Sequence, residues 1–187
     1  VTAVPDDSLG GWFLQDAGDR DPATSDALFV IDEGGPPVGT RVRVRGTVVE
    51  LDAGRGTRTA LQPTGVAPLG RASLPRPAAV SAPPADWERY ENMRVRITAP
   101  LTVAGTHRAD KYGELLVNFG ERLRTPADAV MPGDAARTLA AENARRMLRL
   151  DDGSEAERPA SIWYLPKTGQ PRTGGQLSKV EGVVDQR

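Results

Sequence analysis

Residues 40–51, TRVRVRGTVVEL, alternate arginine with valine before a glycine interrupts the apolar run. Successive side chains of a β-strand point to opposite faces of the sheet, whereas a helical period of about 3.6 residues would scatter both residue types around the axis. The pattern therefore predicts a strand with its valines in a core and its arginines in water. Gly46 falls on the valine face, where glycine is expected if the strand bends or another backbone comes close.

Most of the remaining sequence consists of short apolar runs of strand length. Residues 93–103, MRVRITAPLTV, repeat the alternation, with Val95 and Ile97 on the core face and two arginines on the other. Six further runs have the length and the flanking turn residues of strands: 11–16, 27–32, 58–63, 113–119, 147–153 and 176–186. The alanine-rich stretch at about 133–147 predicts a helix, capped by Asp134 and with arginines near its end.

The order of these elements repeats once along the chain. ALFVIDEG resembles MLRLDDGS, and TRVRVRGTVVEL resembles QLSKVEGVVDQR, so that Gly46 matches Gly182. This repeat predicts a mainly β fold made of two tandem OB-like Greek-key barrels with one inserted α-helix. The expected boundaries are 1–75 for the first barrel, 76–86 for a proline-rich connector and 87–187 for the second barrel. Because the chain stops just after its glycine strand, the second barrel is expected to be truncated at its C-terminus.

Composition narrows the chemistry that this chain can perform. It has no cysteine, which excludes disulfides and cysteine-ligated metals, and no apolar stretch of membrane-spanning length. The single histidine, His107, lies in an expected loop. The sequence contains no nucleophile–base pair, no histidine spacing typical of a metal site and no phosphate-binding glycine loop. The segment is therefore expected to be non-catalytic. Because the chain has a net charge of −1, it would need a local cluster of arginines to bind nucleic acid.

The outward-facing arginines of the two alternating stretches are the first candidate binding residues. They are Arg41, Arg43, Arg45, Arg94 and Arg96. A half-buried strand must present polar side chains to water, so a purely structural role explains them. The period of two also places each set on a single face, where guanidinium groups can neutralise backbone phosphates without reading sequence. The alternation alone leaves both interpretations open.

Two short stretches carry aromatic residues that could contact bases. Phe13 and Gln15 face outward if Leu14 points into the barrel, and an exposed ring there can stack on a base. The alternative is that Phe13 packs under a neighbouring loop. Lys111 and Tyr112 form a similar candidate pair.

An acidic loop follows the first expected strand. The sequence DAGDRDPATSD supplies four carboxylates at short spacing, those of Asp16, Asp19, Asp21 and Asp26. Carboxylate oxygens around a glycine can hold calcium, although the loop lacks the spacing and the terminal glutamate of an EF-hand. Asp and Gly also form turns without any ion. Both a calcium site and a set of turns are compatible with the loop.

Five ordered motifs carry a resemblance to a known family. They are GGWFLQDAGDRDPATSDALFV, VGTRVRVRGTVVEL, WERYENMRVRI, KYGELLVNFGERL and ENARRMLRLDDGS. Together they resemble the OB-fold region of ExeM/NucH-like extracellular bacterial endonucleases. The resemblance implies a non-catalytic region that helps to bind DNA or RNA, upstream of an endonuclease/exonuclease/phosphatase catalytic domain that uses Mg²⁺. It also implies a secreted or cell-surface location for a longer parent protein, a sugar-non-specific nuclease.

The function expected from the sequence is therefore substrate capture by a nucleic-acid-binding region of an exported nuclease. Two other functions remain open. The segment could be a structural spacer that positions neighbouring domains, in which case its arginines should pair with carboxylates. It could also bind oligosaccharides through exposed aromatic residues, as other OB-folds do.

Overall fold

The fold is that of a computed structural model, which describes residues 1–5, 9–19, 21–52, 56–154, 156–166 and 171–185. The described part of the chain is mainly β, as the sequence predicts. Its strands are β1 (Trp12–Gln15), β2 (Ala27–Val30), β3 (Thr40–Asp52), β4 (Thr57–Arg71), β5 (Ala78–Val80), β6 (Arg94–Ile97), β7 (Leu101–Gly105), β8 (Leu115–Phe119), β9 (Met147–Leu150), β10 (Gln176–Leu177) and β11 (Val180–Val183). Its helices are α1 (Ala109–Tyr112), α2 (Pro126–Ala129) and α3 (Asp134–Arg146). No helix within these residues is long and apolar enough to cross a membrane.

The strands form three open sheets. Their orders are β1-β2-β4-β3, β10-β7-β8-β9 and β11-β6-β5. Each sheet ends in edge strands and does not close on itself, so the two closed barrels expected from the repeat are not confirmed. In the first sheet β2 pairs antiparallel with β1 and parallel with β4. The two strands can run parallel because the chain passes through the long strand β3 between β2 and β4 in the sequence.

The chain divides into two compact units whose boundaries differ from those expected. The first unit comprises Val1–Ala79, Asp86–Arg96 and Glu181–Arg187, and the second comprises Val80–Ala85 and Ile97–Val180. The C-terminal segment belongs to the first unit through backbone hydrogen bonds. The amide of Asn92 donates to the carbonyl of Val184, and the amide of Val184 donates to the carbonyl of Met93. Such long-range pairing leaves no mark on the local sequence pattern.

The four-stranded sheet of the first unit is apolar on both faces. On one face, Trp12 and Val30 form a buried cluster with Val1 and Leu61. On the other face, Phe13, Phe29 and Ala60 form a second cluster, and the two phenyl rings meet edge to face at 5.2 Å. Consecutive residues of β1 and β2 are therefore buried on opposite faces of the same sheet.

A long β3–β4 hairpin extends this sheet. Residues 63–71, which lie beyond the strand expected at 58–63 and contain two prolines, continue β4 and pair with residues 40–46 of β3. Proline has no amide to donate and is tolerated where the ladder is irregular. Pro63 and Pro68 both lie at register shifts of the hairpin, opposite Gly46 and Val42. A Cβ at Gly46 would clash with the Gln62 carbonyl, which confirms the expected close approach of another backbone.

The second unit is built on the sheet β10-β7-β8-β9. Leu101 and Val103 of β7 and Leu115 and Val117 of β8 are almost completely buried. The expected helix is confirmed as α3, which begins at Asp134 after Gly133 and has no buried residues. Its last residue, Arg146, donates to the carbonyl of Phe119 at 2.7 and 3.0 Å.

The two halves that resemble each other in sequence do not form equivalent strands in the structure. Residues 176–186, expected to match the single strand at 40–51, contain two separate strands in different sheets. Lys179, between them, has a positive φ of 60°, which breaks the extended conformation. Gly182 has no atom within 4 Å of a Cβ position, unlike Gly46.

Candidate nucleic-acid interface

Three arginines of β3 form an exposed row, which we call the arginine row: Arg41, Arg43 and Arg45. All three are exposed, and none makes an ion pair or a side-chain hydrogen bond with another described residue. Their cross-strand neighbours are small and uncharged: Arg41 lies opposite Gly70, Arg43 opposite Ala67 and Arg45 opposite Gly65. The guanidinium groups are therefore available to an external anion.

The row lies on what we call the ribbon, residues 40–46 of β3 and 63–71 of β4. The opposite face of the ribbon carries Val42, Val44 and Val66, which pack against the Trp12 cluster. The predicted orientation, with valines toward the core and arginines toward water, is therefore confirmed here. No aspartate or glutamate occurs in either segment of the ribbon. This half of the hairpin is thus a β-ribbon whose valines pack on the core and whose outer face carries cations and no carboxylate.

The chain start fixes one end of the ribbon. The α-amino group of Val1 donates to the carbonyl of Thr40 at 2.8 Å, and the amide of Gly39 donates to the carbonyl of Val1 at 3.0 Å. The backbone that carries the arginine row is therefore held by hydrogen bonds as well as by packing.

The two arginines of β6 differ from those of the row because they share one carboxylate. Arg94 lies 2.6 Å and Arg96 3.0 Å from the side chain of Glu181 on the neighbouring strand β11. Arg94 also donates to the carbonyl of Pro75 at 2.8 Å. Val95 and Ile97 are buried as expected. The alternation thus predicted the orientation of β6 correctly, but the single carboxylate of Glu181 balances one of the two positive charges of its arginines.

Phe13 and Gln15 do not face outward. Only 4% of Phe13 is exposed, and its ring packs against Phe29. Gln15 is also buried, and its side-chain oxygen accepts a hydrogen bond from the amide of Arg94 at 2.9 Å. The expectation was wrong because β1 is buried on both faces, which leaves the Phe13 ring no surface for a base.

Lys111 and Tyr112 belong to a cluster in the second unit. The charged ends of Arg108 and Lys111 lie 4.4 and 4.7 Å from the centroid of the Tyr112 ring. Lys111 also lies 3.5 Å from Glu157. Arg108 forms two hydrogen bonds of 2.7 Å with Glu114, which raise the pKa of Arg108. Both cations therefore have carboxylate partners, whereas the three arginines of the row have none among the described residues.

The carboxylates of the acidic loop accept hydrogen bonds from backbone amides. Asp16 accepts from Gly18 at 2.7 Å, Asp21 accepts from Ala23 at 2.9 Å, and Asp19 accepts from Asp21 at 2.7 Å. Asp26 accepts from the amide of Asp19 at 3.3 Å. These contacts are those of side-chain-capped turns. No three acidic, histidine or cysteine residues in the described part of the chain are grouped so that they could hold a metal ion.

The first unit contains buried charged residues whose burial the sequence did not predict. Arg58 is 6% exposed, forms an ion pair of 2.6 Å with Asp185, and lies 4.5 Å from the centroid of the Phe29 ring. Glu91 is also buried, and burial raises the pKa of its carboxyl group. An exposed, strand-edge arginine and a buried one look alike in a single sequence, because only the distant partner distinguishes them.

One aromatic residue is conspicuously exposed in the second unit. Trp163 is 74% exposed, although its indole nitrogen donates to the carbonyl of Asp152 at 2.8 Å. The neighbouring Tyr164 is half-buried; its hydroxyl donates to the carbonyls of Gly113 and Leu150, and burial raises its pKa. Most of the Trp163 ring is therefore in solvent, whereas Tyr164 is held against the fold.

No family model matches the sequence, and neither the curated proteins nor the solved structures contain a significant match.

Proposed function

We propose that this chain is a non-catalytic, nucleic-acid-binding region that captures substrate for an exported, sugar-non-specific bacterial nuclease. The arginine row carries the proposal, because its three guanidinium groups are exposed, lie on one face and have no carboxylate partner among the described residues. Cations arranged in this way neutralise phosphates without reading bases. The resemblance of the five sequence motifs to ExeM/NucH-like nucleases supports the same function.

In this mechanism the chain acts by holding the polyanion. The arginine row would displace counterions from neighbouring phosphates, and the released ions would supply most of the binding free energy. Binding would raise the local concentration of substrate near an adjoining catalytic domain, an endonuclease/exonuclease/phosphatase domain with Mg²⁺ at its own site. We assign no catalytic role to a residue of this chain, and we propose a secreted or cell-surface location from the resemblance alone.

The double substitution Arg43→Ala with Arg45→Ala tests the proposal. Wild-type protein is expected to bind labelled single- or double-stranded DNA at low salt and to lose affinity as the salt concentration rises. The variant should bind at least tenfold more weakly at low salt, because each phosphate contact that is lost prevents the release of about 0.7–0.9 counterions. Fluorescence anisotropy at two salt concentrations measures both effects.

A matched control uses Arg122→Ala with Arg124→Ala, which changes the net charge equally at exposed arginines of the second unit. Affinity should remain near that of the wild type. Absence of binding by the wild-type chain at low salt would remove the proposal, as would equal losses in the two double variants.

The shared carboxylate of Glu181 favours a second candidate function, that of a structural spacer. Both arginines of β6 contact this side chain, as expected for a surface whose charges serve the fold. A spacer would bind no nucleic acid at low salt. The same titration therefore separates the two functions.

A further inference from the structure

We infer that the arginine row prefers duplex nucleic acid to single strands and contacts only the phosphate backbone. This inference rests on the proposed function and narrows the substrate of the same site. Three features of the ribbon carry it: the regular spacing of the cations, the small and uncharged residues opposite them, and the absence of aromatic residues from the ribbon segments.

The first feature is the spacing along β3. Alternate residues of a strand are about 6.6–6.8 Å apart, so the stems of the three arginines leave the backbone along a row about 13 Å long. Packing of Val42 and Val44 on the core fixes this row. A duplex presents phosphates in a rigid array, with one charge per about 3.4 Å of axis on each strand. A single strand would have to be ordered along the row, and that ordering reduces affinity.

The second feature is the surface beside the row. The residues opposite the three arginines are Gly70, Ala67 and Gly65, so the paired positions of the partner strand carry neither a bulky side chain nor a carboxylate. A Cβ at Gly65 or at Gly70 would have no atom within 4 Å, which shows that the space above these positions is open. A wide, stiff polyanion can therefore approach the row along its whole length.

The third feature is the position of the aromatic residues. Proteins that bind single strands without sequence preference usually stack bases on aromatic side chains as well as neutralising phosphates. The ribbon segments contain no aromatic residue. Trp12, Phe13 and Phe29 are buried in the core of the first unit, with exposures of 0%, 4% and 1%. Single-stranded bases would find no stacking partner on the ribbon itself, whereas the bases of a duplex already stack on one another.

The preference has an expected size. Three phosphate contacts give a slope of log K against log salt of about −2.7 for a duplex and about −2.1 for a single strand. If the two affinities are equal at about 1 M salt, this difference in slope alone makes duplex binding about sixfold tighter at about 50 mM. Between about 50 and about 200 mM salt, duplex affinity should fall about 40-fold.

The experiment titrates the whole chain against a labelled duplex of about 20 base pairs and against one of its strands, chosen to lack self-complementarity. Non-specific dissociation constants are about 10⁻⁴–10⁻⁶ M, so the titration extends to several hundred micromolar protein. Each substitution among Arg41→Gln, Arg43→Gln and Arg45→Gln should reduce the duplex slope by about 0.9, and the triple variant should lose measurable binding. The triple variant Arg122→Gln, Arg124→Gln and Arg145→Gln, with the same change of charge, should keep the wild-type slope.

Each outcome is decisive once circular dichroism shows that the variants are folded. A single strand bound as tightly as the duplex, or more tightly, would overturn the inference and leave the proposed function standing. If the two triple variants lost duplex affinity equally, binding would depend on the net charge of the chain and not on the arginine row, and the inference would be overturned. Absence of binding to either nucleic acid at the lowest salt would overturn both the inference and the proposed function.

Discussion

At Gly46 the two strands of the β3–β4 hairpin approach each other closely. A Cβ there would clash with the carbonyl oxygen of Gln62 and lie 2.9 Å from the Cα atom of Pro63, both of which are backbone atoms that cannot turn aside. Such overpacking typically costs about 1–3 kcal/mol. We therefore expect Gly46→Ala to lower the free energy of unfolding by that amount, measured by urea denaturation.

The facing strand offers a control for this substitution. Gly65 pairs with Arg45 one step along the ribbon, and a Cβ at Gly65 would have no atom within 4 Å. Gly65→Ala should change stability by less than about 0.5 kcal/mol, as exposed substitutions usually do. If Gly46→Ala proved as harmless as Gly65→Ala, the close approach at Gly46 would be wrong.

Single residues also show how far local pattern can predict this structure. The alternation of valine and arginine in β3 predicted the exposed side correctly, because the strand has one apolar face along the ribbon. In β1 the same reasoning failed for Phe13, because Trp12 and Phe13 are both buried, on opposite faces of the sheet. Whether a strand has one buried face or two depends on what packs against it, which its own sequence does not encode.

At the scale of elements, strand β11 is linked to β6 by the side chain of Glu181. Glu181 accepts hydrogen bonds from Arg94 at 2.6 Å and from Arg96 at 3.0 Å. Partly exposed ion pairs contribute about 0.2–1 kcal/mol each, and salt screens them. We expect Glu181→Gln to lower the free energy of unfolding by about 0.5–1 kcal/mol at low salt and by less at high salt, measured by urea denaturation in both.

The control for this prediction is Glu142→Gln, which removes an exposed carboxylate of α3 that has no ion-pair partner among the described residues. Its effect should be near zero. A loss of stability that did not shrink with salt would show that Glu181 acts by packing and not by charge.

The elements themselves were predictable to different degrees. The helix at 133–147 was located within one residue at each end, because its alanines and arginines follow a local helical pattern. The second half of β4 was missed, because Pro63 and Pro68 normally argue against a strand. Both prolines are accommodated at register shifts, a property of the paired strand that the sequence of β4 does not reveal.

For the molecule as a whole, the first unit is assembled from both ends of the chain. Val183 packs against the Phe29 cluster, and Val184 exchanges backbone hydrogen bonds with Asn92 and Met93. Asp185 forms the ion pair with the buried Arg58. The limits of the two units differ from the expected boundaries because a repeat read along the sequence assigns each end to the nearest half, whereas these contacts join residues far apart in the chain.

This assembly predicts a selective effect of truncation. A chain that ends at Val180 should lose the Val183 contact and the ion pair between the buried Arg58 and Asp185, and breaking a buried pair costs about 3–5 kcal/mol. Hydrogen exchange measured by mass spectrometry should then show lost protection in β1, β2 and β4, while β7 and β8 of the second unit keep theirs. A chain that ends at Asp185 retains all of these contacts and should match the full chain. Equal protection of β1, β2 and β4 in the two truncated chains would contradict the assignment of the C-terminal segment to the first unit.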